Sequence, residues 1–253
     1  MKRNKFWLSS AHRGFVEGAM VQNTLAAYYN AFLRGADMIE TDARLTSDGV
    51  LIVNHDPTVT AMNEKGERVT YNVAETPASV ICSLILSEDE KWGKQYVPTL
   101  EQVLKLAYHT GMILNIDLKN GYETAEPVAK LVLRCGMAGK VIYALNRSGM
   151  RGIEAITAID PDARFIDRGV EFAETVKDYP ERGKRCFCYC NTNGITEETV
   201  NAVRDRGCLL ALISLDGSNF EKAMRYCPDM CEFLHTSDFR AIEDGYFEKL
   251  RLY

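Results

Sequence analysis

The chain has 253 residues, 46% of them hydrophobic, which supplies core enough for one large domain or two small ones. Its formal charge of −5 argues against a nucleic-acid surface, which is normally basic, so an anionic partner has to be met by local positive charge. No run of about 18 apolar residues occurs to span a membrane, and the basic start Met1-Lys2-Arg3-Asn4-Lys5 leads into only three apolar residues, Phe6-Trp7-Leu8, too few for the core of a secretory leader.

Residues 6–11 read as a first strand that delivers His12, Arg13 and Gly14 into a loop. Asn23 can cap the helix that follows, whose apolar positions Leu25, Tyr28, Tyr29 and Phe32 repeat at helical spacing until Gly35 stops it. A second strand through 37–43 places Met38, Glu40 and Asp42 on one face and Ile39, Thr41 and Ala43 on the other. Asp48-Gly49 marks a tight turn into a third strand, 50–54, ending at His55. Eight residues separate Asp42 from Leu51, which suits a hairpin better than a parallel crossover.

Residues 57–97 break the alternation and read as an insertion or small subdomain over the mouth of a site. Thr99 and Gln102 form a capping box for a helix carrying Leu100, Val103, Leu104 and Ala107, ended by Gly111. In the next strand, 112–119, Met112, Leu114, Ile116 and Leu118 make an apolar face while Asn115, Asp117 and Lys119 line the other. An open sheet would solvate that polar face; a closed barrel would turn it inward, where polar groups need partners.

Helix and strand then alternate: strands at 141–145, 163–166, 186–190, 209–215 and 233–236, helices between them and near 170–176, and a closing helix with Phe239, Ile242 and Phe247. No repeat or linker interrupts the chain, so residues 1–253 read as a single α/β domain, a (β/α)₈ TIM barrel with a small insertion after the third strand. The pattern yields nine strands for eight places, with 163–166 or 186–190 taken as the surplus.

Eight cysteines without a secretory leader point to reduced thiols and a cytoplasmic protein. Cys186, Cys188 and Cys190 share one strand face, and Cys227 and Cys231 have no second ligand pair nearby, so small buried hydrophobes are favoured over a zinc site.

Active sites of such barrels lie at the C-terminal strand ends, where His12, Glu40, Asp42, His55, Asp117 and Lys119 all fall. Glu40, Asp42 and Asp117 can supply an all-oxygen site for a hard cation, Ca²⁺ or Mg²⁺. Arg13 and Lys119 are candidate phosphate binders, and His12 and His55 a candidate acid and base. Each has a structural alternative: a carboxylate can pair with Arg44, Lys119 with Asp117, and a lone histidine can be part of the core. His109 and His235 lack such context and read as structural.

The order His12-Arg13-Gly14, Asn23-Thr24-Leu25, Gly35-Ala36-Asp37-Met38-Ile39-Glu40-Thr41-Asp42, Leu45-Thr46-Ser47-Asp48-Gly49 and His55-Asp56 resembles the glycerophosphodiester phosphodiesterase family, and the likeness resumes at Pro98-Thr99-Leu100-Glu101 and Asn115-Ile116-Asp117-Leu118-Lys119. The resemblance implies hydrolysis of a small glycerophosphodiester to glycerol 3-phosphate and an alcohol, with His12 and His55 as acid and base, Glu40, Asp42 and Asp117 on a divalent cation, and Arg13 and Lys119 on phosphate. It also implies that 50–54 is a barrel strand. The chain departs from the family at Val21-Gln22, where Pro-Glu is usual, and at Asp117, where glutamate is usual. The late Trp-Thr motif is missing from 209–215, leaving Thr236-Ser237-Asp238 as the C-terminal counterpart. Two other readings fit: a phosphoester-binding barrel without efficient turnover, and a lysophospholipase D-like enzyme with an apolar trough near 80–97.

Overall fold

A computed structural model describes residues 7–145, 149–168, 186–216 and 218–233. Eight parallel strands close into a barrel: β1 (Leu8–Ala11), β2 (Met38–Leu45), β8 (Ile113–Leu118), β9 (Val141–Ala144), β10 (Arg164–Arg168), β11 (Cys186–Asn191), β12 (Leu209–Leu215) and β13 (Met230–Phe233), with β13 returning to pair with β1. Helices α1 (Leu25–Leu33), α3 (Leu100–Thr110), α4 (Tyr122–Arg134), α5 (Gly149–Thr157), α6 (Glu197–Asp205) and α7 (Phe220–Met224) lie between strands along the chain.

The two-residue period of each strand divides the core. Met38, Ile142, Ala144, Ile166, Phe187, Ala211 and Met230 fill the lumen, whereas Ile39, Ala43, Leu114, Ile116 and Leu118 pack in the larger cluster shared with the helices. The polar face of 112–119 accordingly turns inward. Cys186, Cys188 and Cys190 sit on the outward face of β11, buried within that larger cluster as small hydrophobes.

The surplus strand is neither 163–166 nor 186–190, which are β10 and β11 of the barrel. It is β3 (Leu51–Val53), which pairs antiparallel with Ala43–Leu45 of β2 and so lies off the barrel. A connection of eight residues is too short for a parallel crossover but sufficient for a hairpin, and here that constraint prevails over the barrel strand that the family resemblance implied. β1 pairs with the start of β2 at Met38 and Ile39; β3 pairs farther along at Ala43–Leu45.

The insertion forms its own antiparallel sheet, in the order β5 (Arg68–Asn72), β4 (Thr58–Met62), β6 (Ile85–Asp89), β7 (Gly93–Tyr96), with a short helix α2 (Ala78–Ile81). It has a small core of its own around Ile52, Val59, Val73, Ile81, Leu84 and Val97. Its outer hairpin grips the β1–α1 loop: Ser87 Oγ donates to the Ala19 carbonyl at 2.7 Å, Asp89 Oδ2 accepts from Ala19 N–H at 3.2 Å, and Gln95 Oε1 accepts from Val21 N–H at 3.0 Å.

The expected capping box at Thr99 and Gln102 is present with both arms, and Gly111 closes α3 in the left-handed region. α1 differs from expectation. Thr24, not Asn23, is its N-cap, and it buries Ala27, Tyr28, Asn30 and Ala31 while Leu25 and Tyr29 are exposed. The last barrel strand is Met230–Phe233 rather than 233–236. The expected helices at 170–176 and around Phe239, Ile242 and Phe247, with His235 and Thr236-Ser237-Asp238, lie outside the described residues.

Gly14 holds the β1–α1 loop against α1. Its φ is +84°, and a Cβ there would lie 2.7 Å from the Ala27 carbonyl carbon and 2.8 Å from the Ala27 side chain. Gly14→Ala is expected to destabilise the protein by at least about 1–3 kcal/mol, the strain of a non-glycine residue in that backbone region. Chemical denaturation of the two proteins measures this directly; an unchanged midpoint would mean that α1 yields to the extra methyl.

Candidate active site

The barrel brings together what the sequence separates. β2 and β8 run in register from Met38 opposite Ile113 to Ala43 opposite Leu118, which sets Glu40 beside Asn115 and Asp42 beside Asp117. Glu40, Asp42 and Asp117 each offer a carboxylate oxygen, and the three oxygens lie within 4.8 Å of one another. β1 ends at Ala11, and His12 N–H donates to the Phe233 carbonyl at 3.1 Å, fixing the loop entry. Arg13 has a φ of 56°, a left-handed backbone whose N–H donates to Glu40 Oε2 at 3.1 Å. The His12 ring stands with Nε2 at 4.0 Å from the same oxygen.

Asp42 is the most heavily contacted acid. Arg13 Nε lies 3.1 Å from Oδ2, Lys119 Nζ 3.0 Å from Oδ1, and Asn23 Nδ2 donates to Oδ2 at 2.7 Å. Burial pushes its carboxyl up, but Lys119, Arg13 and the Asn23 amide outweigh that and hold it below its ordinary value. Lys119 also reaches Asp117 Oδ2 at 2.6 Å. Burial pulls the Lys119 ammonium down, and its two carboxylate partners more than restore it, so it stays charged. Burial raises the Asp117 and Glu40 carboxyls; at Glu40 the neighbouring Asp42, Glu232 and Asp117 add to the effect.

His55 is at the rim of the same end. The backbone carries it there from β2: Asn54 N–H donates to the Asp42 carbonyl at 3.0 Å, and Arg44 donates to the carbonyls of Asn54 and His55, at 3.1 Å from Nε to each. Arg44 therefore anchors the histidine loop instead of pairing with a strand-end carboxylate. The His55 ring is 41% exposed and its Nδ1 lies 2.8 Å from Asp56. His109, by contrast, is exposed in the last turn of α3.

Sequence reasoning missed several groups here. Asn23, taken for a helix cap, instead sits at φ 60°, bonds Asp42, and accepts from Tyr28 Oη at 2.7 Å, which also contacts Thr41 Oγ1 at 2.7 Å. Glu232 on β13 is buried, and burial pushes its carboxyl up to about 7. Tyr189 and Asn115 complete a polar layer that includes Glu232. The positive φ of Asn23 has no clear sequence signature, and Glu232 lies just outside the strand drawn from the pattern.

The donors suit a hard divalent cation. All are oxygens, and the Asp117 Oδ1 atom is buried without a hydrogen-bond partner. With all four ionised, the buried or half-buried carboxylates Glu40, Asp42, Asp117 and Glu232 would exceed the two cations Arg13 and Lys119 by two charges, which one divalent ion would balance. Gln22 adds no charge, and its Oε1 is buried without a partner. Glu17 does not replace it: Lys91 and Arg34 pair with Glu17 and pull its carboxyl down to about 2.

Known proteins resemble this chain in sequence and in fold. A glycerophosphodiester phosphodiesterase from Caldanaerobacter subterraneus is 33% identical over 137 residues, 54% of this chain and 51% of that protein, so the chain spans about half the length of that relative. Among solved structures, a putative glycerophosphoryl diester phosphodiesterase from Silicibacter pomeroyi superposes with a TM-score of 0.78 at 19% identity, covering 96% of this chain and 95% of the other. An Oleispira antarctica phosphodiesterase, solved in complex with its product sn-glycerol-3-phosphate, superposes with a TM-score of 0.75 at 17% identity, over 94% and 96% of the two chains. At such identities the likeness is one of fold. The sequence pattern of the glycerophosphoryl diester phosphodiesterase family, however, matches residues 12–160, more than half of the length and the whole of the cluster described above except Tyr189 and Glu232, and the chain belongs to that family.

Proposed function

We propose that this protein hydrolyses glycerophosphodiesters to glycerol 3-phosphate and an alcohol, using a divalent cation and a pair of histidines. The observation that carries the reading is the convergence of Glu40, Asp42 and Asp117 beside two fixed cations, Arg13 and Lys119, at the barrel end that also bears His12 and His55. Glu40, Asp42 and Asp117 would hold the cation, which when bound supplies Lewis-acid stabilisation of charge on the phosphoryl oxygens. Arg13 and Lys119 bind and orient the phosphate; Asp42, contacting both, fixes where their charge lies. His12 and His55 divide the proton work: one takes a proton from the attacking hydroxyl or water and the other gives one to the leaving alkoxide. The glycerol 3-phosphate held by the Oleispira antarctica neighbour supports the choice of substrate.

A lysophospholipase D-like reading draws on a groove of about 570 Å³ between α1, the insertion and α3, lined by Leu25, Tyr29, Trp92, Tyr96, Val97 and Leu106 among others. The groove reaches Thr24, next to Asn23. Parallel assays on a glycerophosphodiester and on a lysophospholipid with the same alcohol decide between the two by kcat/KM.

Chelator treatment is expected to abolish turnover, and Glu40→Ala or Asp42→Ala to abolish binding of the ion; hydrolysis by chelated protein at the untreated rate would overturn the metal assignment. Gln22→Glu is expected to tighten the cation by adding an anionic group close to it, read as a shift in the metal titration. An unmoved titration would place that side chain away from the ion.

The rate is expected to be bell-shaped in pH, because the two histidine roles need opposite protonation states, with two macroscopic pKa values belonging to the pair. His12→Ala and His55→Ala should each lower kcat by about 10²- to 10⁴-fold, and the double variant should be little worse than the worse single one. Wild-type rates in the single variants would remove the histidines from the mechanism. A wild-type protein that binds glycerol phosphate without hydrolysing diesters would be a binding barrel instead.

A further inference from the structure

The site as described draws on β1, β2 and β8, yet β13, the other neighbour of β1, contributes a carboxylate as well. Glu232 is 5% exposed and lies two residues beyond Met230, a member of the lumen cluster, so the period of the strand turns it inward. Tyr189 Oη, from β11, donates to Glu232 Oε2 at 2.9 Å. Asn115 Nδ2, from β8, donates in turn to the Tyr189 oxygen. In the strand order β8 and β11 are separated by β9 and β10, so this chain of bonds crosses the lumen.

The level at which it crosses is that of the carboxylates. Asn115 is the register partner of Glu40, and Glu232 is the register partner of Ser10. Ser10 and Asn115 are fully buried, and Ser10 Oγ and Asn115 Oδ1 have no hydrogen-bond partner. Two oxygens are thus left unpaired in a layer that already holds two carboxylates. The partner of Glu232 here is a neutral hydroxyl, which satisfies a lone pair without balancing a charge. In a low-dielectric lumen that charge acts over a longer range than it would in water, and it acts toward Glu40 and its neighbours.

We infer that Glu232 is a positioning residue of the cation centre: braced by Tyr189 and Asn115, its carboxylate contributes negative charge beside Glu40, Asp42 and Asp117 that raises their affinity for a divalent ion. The inference rests on the metal reading given under Proposed function. The brace also ties Asn115, two residues before Asp117 on β8, to the opposite wall, so loss of the hydroxyl loosens one ligand strand while leaving the charge in place.

Isothermal titration calorimetry of the purified full chain with Mg²⁺ alone and Ca²⁺ alone tests this without reference to turnover. Wild type is expected to bind one ion, Glu40→Gln to lose it, and Glu232→Gln to bind it about 10- to 100-fold more weakly, the usual cost of removing an outer partner of a metal site. Glu232→Asp, which keeps the charge, should recover most of the affinity, and Tyr189→Phe should fall between wild type and Glu232→Gln. If wild type binds neither ion, the metal reading and this inference fall together. If wild type binds, Glu40→Gln does not, and Glu232→Gln binds as wild type does, this inference alone is overturned, even where Glu232→Gln lowers the unfolding temperature. Should Glu232→Gln not fold, Tyr189→Phe decides: an affinity equal to wild type overturns the inference.

Discussion

Asp42 is fully buried, and a carboxylate so placed is costly unless its charge is met. It is met by Arg13 and the Asn23 amide from the β1–α1 loop and by Lys119 from the end of β8, about a hundred residues farther along the chain. Each of these is itself constrained. Arg13 and Asn23 adopt left-handed backbones, and Asn23 N–H donates to the Arg13 carbonyl at 2.9 Å. The loop between β1 and α1 is thereby closed on the same acid that orders the site. Removing Asp42 would leave Arg13 and Lys119 facing each other with one fewer carboxylate between them, so the site's geometry and its electrostatics depend on one side chain.

The barrel explains why such a set can exist. An inward polar face would be solvated in an open sheet, but closure turns Glu40, Asp42, Asn115, Asp117, Tyr189 and Glu232 toward one lumen. The apolar lumen cluster, with Met38, Ile142, Phe187 and Met230, occupies other inward positions of the same strands. The inward face thus grades along the strands from apolar packing to the charged end, in keeping with active sites at the C-terminal strand ends of such barrels. Buried charges accumulate where a hard cation and a phosphate can balance them.

How much of this was legible in the sequence depended on whether a single periodicity or a single cap decided the matter. The apolar face Leu114, Ile116, Leu118 and its polar counterpart could be read because alternation over six residues has one interpretation once the sheet is closed. The Thr99–Gln102 cap and Gly111 were equally plain, since each does a local job that other residue types do poorly. Asn23 was misread for the same reason: asparagine is a good cap, and only the tertiary pull of Asp42 takes it away from the helix start. β13 offered no alternation, because Met230, Cys231, Glu232 and Phe233 are all buried, so the pattern shifted the strand late and passed over its acid. At β3 the connection length pointed to a hairpin and the family resemblance to a barrel strand; the shorter-range constraint decided it.

The placement of His55 has one more consequence. It is set from the barrel, through Asn54 N–H on the Asp42 carbonyl and Arg44 on the carbonyls of 54 and 55, with the Asn54 side chain reaching the first residue of the neighbouring antiparallel sheet at the Thr58 carbonyl, while the bonds from the outer hairpin of that sheet fall on Ala19, Val21 and Thr24. The hairpins of the insertion beyond Thr58 can therefore be recut, and the contour of the entrance redrawn, while the His55 ring keeps its station. The shape of the entrance and the placement of the ring then reside in separate stretches of one polypeptide.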